Sequence, residues 1–226
     1  MVQDAFEITV NSDFSWSSFT PNTTHRWRLD AWFHGRGETL SEVNFLTDRE
    51  TKNGEFTPRD TIVLHLYGRY CNANKFAGEV DLFEALDKVK QQYRVDENRI
   101  LVRGFSMGGA GVWHSSLHYP GLWASVEAGA GDNESHRMRV ISDLAPHQQA
   151  MCRIFDNMYE WMLNSFNMPF IGYVGEIDGS FSKHVLARRQ LTLEGLHLEG
   201  ESFTTGVRVK EAPGIVFLVA PNTPHA

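Results

Sequence analysis

Apolar runs rich in β-branched residues recur along this chain, and amphipathic stretches fall between several of them. "FEITV" (Phe6–Val10), "LDAWF" (Leu29–Phe33), "TIVLHL" (Thr61–Leu66), "RILVRG" (Arg99–Gly104), "WASVEAGA" (Trp123–Ala130), "PFIGYVG" (Pro169–Gly175) and "GIVFLVA" (Gly214–Ala220) each read as a strand. Short continuous apolar runs such as Thr61–Leu66 suit strands buried on both faces of a parallel sheet. "GEVDLFEALDKVKQQY" has a different period. Leu82, Leu86, Val89 and Tyr93 fall on one face of a helix, and Glu79 and Asp81 sit in its first turn, where the helix dipole favours acids. A helical stretch to about His118 follows Ser106, and another spans Phe181–Leu193. The alternation predicts an α/β fold: a doubly wound, mostly parallel sheet with helices on both faces. The chain up to Arg28, beyond the first strand, reads as irregular edge structure. Residues 131 to 168 break the rhythm with "HQQAMCRIFDNMYEWMLNSF", a helical, aromatic-rich insertion. A cap over a cleft and additional core-packing helices both fit it.

A length of 226 residues suits one domain spanning residues 1–226, with ample chain for a large core. The formal net charge is −7 and no run of Lys or Arg is present, which argues against a nucleic-acid or anionic-membrane partner. No apolar run is long enough to span a bilayer. "MVQDAFEITV" lacks the basic and apolar regions of a signal peptide, and the compartment stays open because a leader could precede it. Cys71 and Cys152 form no C-x-x-C and are expected as free buried thiols, with one disulfide as the alternative.

Candidate chemistry begins at "VRGFSMGGAG" (Val102–Gly111), which contains G-x-S-x-G. The motif is short, and its meaning depends on lying between a strand and a helix, as it does here. A tight strand-to-helix turn strains the backbone at Ser106 and exposes its hydroxyl at the sheet edge. The N–H of Met107, at the helix N-terminus, is then one oxyanion donor. "HGRGET" after Leu29–Phe33 supplies Gly35 and Arg36 as candidates for the second donor, while His34 is expected to pack or hydrogen-bond within that loop.

A serine needs an imidazole base and an acid to orient it. In doubly wound hydrolases the chain order is Ser, acid, His. Asp178, in "YVGEIDGS" just past the Pro169–Gly175 strand, is the favoured acid; Glu176 and Asp132 are alternatives. An N-cap of the following helix is the competing role for Asp178. Of ten histidines, His225 alone follows the final strand, in "GIVFLVAPNTPHA", and is the candidate base. No metal or cofactor is expected: H-E-x-x-H, Cys/His clusters, the phosphate-loop Gly-Lys-Ser/Thr and G-x-G-x-x-G are all missing from the sequence. Trp113, Trp123, Trp161 and Tyr173 fit either a pocket lining or the core.

These residues together resemble the α/β-hydrolase superfamily, more narrowly its esterase and prolyl-oligopeptidase-like branch, with feruloyl esterases and polyhydroxybutyrate-depolymerase-type esterases. The carriers are "WFHGRGET", "YGRYCNANKFAGEVDLFEALDKV", "RILVRGFSMGGAGVWHSSLHYP" and "YVGEIDGS", from about residue 29 onward. The resemblance implies Ser106 as nucleophile, Asp178 as acid and His225 as base. It implies a small-molecule ester or short peptide as substrate, with a carboxylesterase favoured over a peptidase. A hydrolase-like binding domain without catalysis is the reading from another class. In the family a helix normally follows the His loop. This sequence ends one residue after His225, so either it is a fragment of a longer protein or the His is held in some other way.

Overall fold

The computed structural model describes residues 6–11, 25–37, 40–52, 58–131, 144–152, 161–201 and 206–226. Nine strands of these residues form one sheet. They are β1 (Phe6–Asn11), β2 (Trp27–Phe33), β3 (Thr61–Leu66), β4 (Val95–Phe105), β5 (Ser125–Gly129), β6 (Phe170–Gly175), β7 (Leu198–Glu199), β8 (Val207–Val209) and β9 (Ala212–Ala220). The spatial order is β1-β3-β2-β4-β5-β6-β9-β8-β7. The six central strands, β3 to β9 in that order, are parallel, and β1, β8 and β7 add antiparallel edges. Their register aligns the C-terminal ends: Phe33 pairs with Gly104, Phe105 with Gly129, and Gly175 with Ala220. The loops leaving β2, β4, β6 and β9 therefore emerge along one edge. The winding reverses between β2 and β4, since β3 lies on one side of β2 and β4 on the other, and such switch points open a crevice at that edge.

The helices are α1 (Glu42–Thr51), α2 (Ala77–Gln92), α3 (Met107–His118), α4 (Pro146–Cys152) and α5 (Phe181–Leu193), with a 3-10 helix at Met162–Asn167. Leu82, Ala85, Leu86 and Val89 are the buried stripe of α2, and Tyr93, just past its end, packs against the same core. This stripe and α3's Val112, Trp113 and Leu117 share one core with Leu29, Phe33, Leu64, Val102, Phe170 and Phe217 of the sheet. The burial is of aliphatic and aromatic side chains, the main favourable term in folding. α1 lies beside β1, next to His65 on the sheet's opposite face.

The sequence pattern located most of these elements, and its errors have local causes. β2 begins at Trp27, so the expected irregular structure up to Arg28 gives way to strand two residues early. β4 begins at Val95, where polar Asp96, Glu97 and Asn98 hide its start from an apolar pattern. α1 was not foreseen because Phe45 is its one buried residue; its start is set by Ser41, whose side chain accepts the Asn44 N–H at 3.2 Å. β7 and β8 are too short to show a period. Of the insertion, α4 is exposed, the 3-10 helix packs Met162 into the core, and residues 132–143 and 153–160 lie outside the described residues. Trp113 and Trp123 are core, Trp161 is partly buried against it, and Tyr173 faces a cavity on the other side of the sheet. Cys71 and Cys152 are both free and partly buried.

Candidate active site

Ser106 joins β4 directly to α3 with φ 59° and ψ −122°, a region that non-glycine residues occupy only under constraint. The constraint is visible. The Ser106 N–H donates to Gly129 O at 2.9 Å, and its carbonyl accepts from Ala110 N at 3.0 Å. α3 lies across β4, β5 and β2 so closely that the Phe33 carbonyl sits where a side chain on Gly108 would begin. Glycine at 108 is therefore required for the turn to seat on the sheet. The turn in place, Met107 opens α3 with a backbone N–H that has no acceptor within the helix.

The loop after β2 lies on the same edge. A side chain on Gly35 would meet Ser106 Cβ at 3.7 Å. His34 pins this loop: its Nδ1 faces Gly35 O at 2.7 Å and its Nε2 faces Tyr67 O at 2.8 Å, with the ring stacked near Tyr67 and tilted against Phe45. A trans peptide points its N–H opposite its carbonyl, so the hold on Gly35 O turns the Arg36 N–H away from His34.

Asp178 follows β6. Its side chain is almost fully buried, and its two oxygens have separate partners. Oδ1 accepts the Ser180 N–H at 2.6 Å; Oδ2 lies 2.7 Å from His225 Nδ1. The helix that follows takes Ser180 as its N-cap, so Asp178 is not the cap residue; its carboxylate holds the turn before the helix and the His contact together. Glu176 serves otherwise, accepting the Asn222 N–H at 2.8 Å, and Asp132 lies outside the described residues.

His225 stands on the loop after β9, its side chain about half exposed. Its Nε2 is 2.7 Å from Ser106 Oγ. With Nδ1–H donating to Asp178, Nε2 is the acceptor for the serine hydroxyl. The loop beneath is tied at several points. Thr223 O accepts the Ile177 N–H at 3.1 Å, Tyr173 Oη donates to Ala226 O at 3.2 Å, and the Phe105 and His225 rings lie 5.1 Å apart. The sequence suggested a weakly held His; these contacts are what hold it. Beneath them a cavity of about 560 Å³ opens between Trp32, Arg103, Phe105 and Tyr173.

Two features of this region were not among the expectations from the sequence. Asp30, fully buried on β2, receives a two-point contact from Arg28 at 2.6 and 2.7 Å, and Arg103 reaches it at 3.3 Å while also binding Glu127. The turn from Gly68 to Phe76 places Arg69, Tyr70, Ala73, Asn74 and Phe76 at positive φ. A buried Asp within an apolar strand run was the one visible hint of the first.

Solved structures share this architecture. A thermostable esterase superposes with a TM-score of 0.58 over 96% of this chain at 15% identity, and this chain spans about half (50%) of that protein's length. A ferulic acid esterase matches over 98% of this chain and 92% of its own, with a TM-score of 0.58 and 15% identity. A dipeptidyl aminopeptidase IV-like protein from Bacteroides ovatus covers the whole chain (100%) with 32% of its own length, at a TM-score of 0.66 and 10% identity. No family model and no curated protein sequence matches the chain. The fold is the α/β-hydrolase fold.

Proposed function

We propose that this protein is a serine hydrolase acting on carboxylic esters, with Ser106 as nucleophile, His225 as base and Asp178 as the orienting acid. One observation carries the reading: an unbroken hydrogen-bonded line runs from a buried carboxylate through an imidazole to a serine hydroxyl, at 2.7 Å and 2.7 Å, on a strained turn. His225 Nε2 takes the Ser106 proton as Oγ attacks the ester carbonyl. Asp178 keeps the imidazole in the required tautomer and stabilises the imidazolium. The N–H groups of Met107 and of the Gly35–Arg36 loop receive the developing oxyanion. His225 returns the proton to the leaving alcohol, then deprotonates the water that releases the acyl group. The substrate is a small-molecule ester, and no bound cofactor enters these steps.

A fluorophosphonate probe read by intact mass tests this. One label per chain, lost in Ser106→Ala, is the expected result; no label on the folded protein overturns it in favour of a binding domain. Turnover of p-nitrophenyl acetate against an aminoacyl anilide then separates esterase from peptidase.

A further inference from the structure

We propose that His34 is a positioning residue that works as an imidazolium: in the active enzyme both ring nitrogens carry a proton, and together they clasp the loop that supplies the second oxyanion donor. The inference rests on the hydrolase reading of Ser106.

The protons on the ring can be counted from its partners. His34 Nδ1 lies 2.7 Å from Gly35 O, and Nε2 lies 2.8 Å from Tyr67 O. Both partners are backbone carbonyls, which only accept, so each contact needs an N–H on the ring. A neutral imidazole has one N–H; the imidazolium has two. In either neutral tautomer one nitrogen turns a lone pair toward a carbonyl oxygen at hydrogen-bond distance. Turning the ring over does not remove the conflict. It sets ring carbons against both oxygens, closer than the separation of about 3.3 Å at which C–H groups approach carbonyls. The ring is also held from its sides, stacked near Tyr67 and tilted against Phe45, with centroids 6.1 and 5.4 Å away.

The surroundings leave the two carbonyls as the partners of the ring. Burial pushes the Tyr67 hydroxyl up, and it donates to Leu40 O at 3.0 Å. Cys71, beyond Tyr67, donates to Gly37 O at 3.7 Å. The charged residues lining the same cavity are Arg36 on the loop and Asp48 and Arg49 on α1, and Asp48 pairs with Lys52 at 2.8 Å. Among the described residues, none of these forms an ion pair with His34.

The Gly35 peptide is what the second proton controls. A side chain on Gly35 would meet Ser106 Cβ at 3.7 Å, and the direction of the Gly35 carbonyl sets that of the Arg36 N–H. Loss of one His34 proton puts a lone pair against Gly35 O or Tyr67 O and opens the clasp on that side. Rising pH therefore acts in two opposite senses. His225 must lose a proton to act as base, which raises activity; His34 must keep both of its own, so activity falls again when one leaves. The result is a bell-shaped profile.

Protein labelled with ¹⁵N in its histidine rings reports these protons directly. Two-bond ¹H–¹⁵N spectra distinguish an imidazolium from either neutral tautomer, and ring-to-backbone correlations assign His34. Ser106→Ala at neutral pH gives a reading without turnover. Two protons on the His34 ring support the clasp even if no ester is hydrolysed, and one proton overturns it. The kcat/KM profile of the native protein on p-nitrophenyl acetate, corrected for uncatalysed hydrolysis, tests the consequence. It should fall about tenfold or more on its alkaline side, through kcat more than KM, at the pH where the His34 signals change. His34→Gln, checked for folding by circular dichroism, should be less active and lack that fall. No alkaline fall in the native protein, a fall apart from the His34 change, or a fall retained in a folded His34→Gln overturns the role. The native comparison decides by itself where the variant does not fold. Esters turned over by a protein whose His34 carries one proton leave the hydrolase reading intact and remove this inference alone.

Discussion

The carbonyl oxygen of Thr223 occupies the space where a side chain on Gly175 would stand, with the Pro224 carbonyl close behind. The loop that carries His225 is thereby laid directly onto the end of β6, whose next turn carries Asp178.

Gly175→Ala should accordingly lift the loop and separate His225 from both partners. The expected outcome is a fall in kcat of about a hundredfold or more, since a displacement near 1 Å in a reacting group has that effect. Steady-state kinetics on p-nitrophenyl acetate, with circular dichroism to verify folding, checks it. Activity within threefold or so of the native protein would contradict the role given to this packing.

Asp178→Asn preserves shape and removes charge. The amide can still accept the Ser180 N–H, but it no longer stabilises an imidazolium and can hold the wrong tautomer. A loss in kcat on the order of a thousandfold or more is expected. Glu176→Gln, which alters a contact to Asn222, should leave kcat within about tenfold of native.

Asp30 sits between Arg28 and Arg103 at 1% side-chain exposure, while the two arginines remain partly exposed. Asp30→Ala leaves both cations without that partner. A loss of about 2–4 kcal/mol of stability is expected, below the full figure for a wholly buried pair because Arg28 and Arg103 retain access to water. Urea denaturation of the two proteins at one pH measures it.

Three histidines away from the site make the fold sensitive to acid. Burial holds His65 at about 4, His114 at about 4 and His184 at about 3, each below its ordinary value of 6.5. Nearby cations add to the effect, and Glu79 opposes it at His114 without reversing it. The unfolded chain then binds protons that the folded chain refuses. Stability is fully present above pH 6.5 and is lost as pH falls from there toward 4 and 3. The slope approaches about 1.4 kcal/mol per pH unit for each histidine in that window. Urea midpoints from pH 7.5 down to about 4.5 should fall with acid, and His184→Leu should flatten the fall; an identical slope in that variant would refute the assignment.

Much of the candidate site was legible in the sequence because its signals are local. Ser106 between a strand and a helix, an early glycine loop, and an acid and a histidine after later strands are all properties of short segments. The choice among Asp178, Glu176 and Asp132 was not of that kind. Asp178 and Glu176 leave the same strand two residues apart, and only the turn at residues 176–178, with Glu176 taken by Asn222 and Asp178 turned inward under His225, distinguishes them. α1 and the Asp30 network escaped for a related reason: one has a single buried residue, and the other joins three strands.

By itself, the sequence determined the alternation of strands and helices, the strained turn at Ser106 and the order of the groups that follow it. These depend on periodicity and backbone sterics over a few residues. The tertiary structure decided that Ser106 and His225, 119 residues apart, meet at hydrogen-bond distance. That meeting requires the parallel register of β4, β5, β6 and β9 and the bare face of Gly175 beneath the last loop. Register is set by the packing of whole strands against one another, which no short segment encodes.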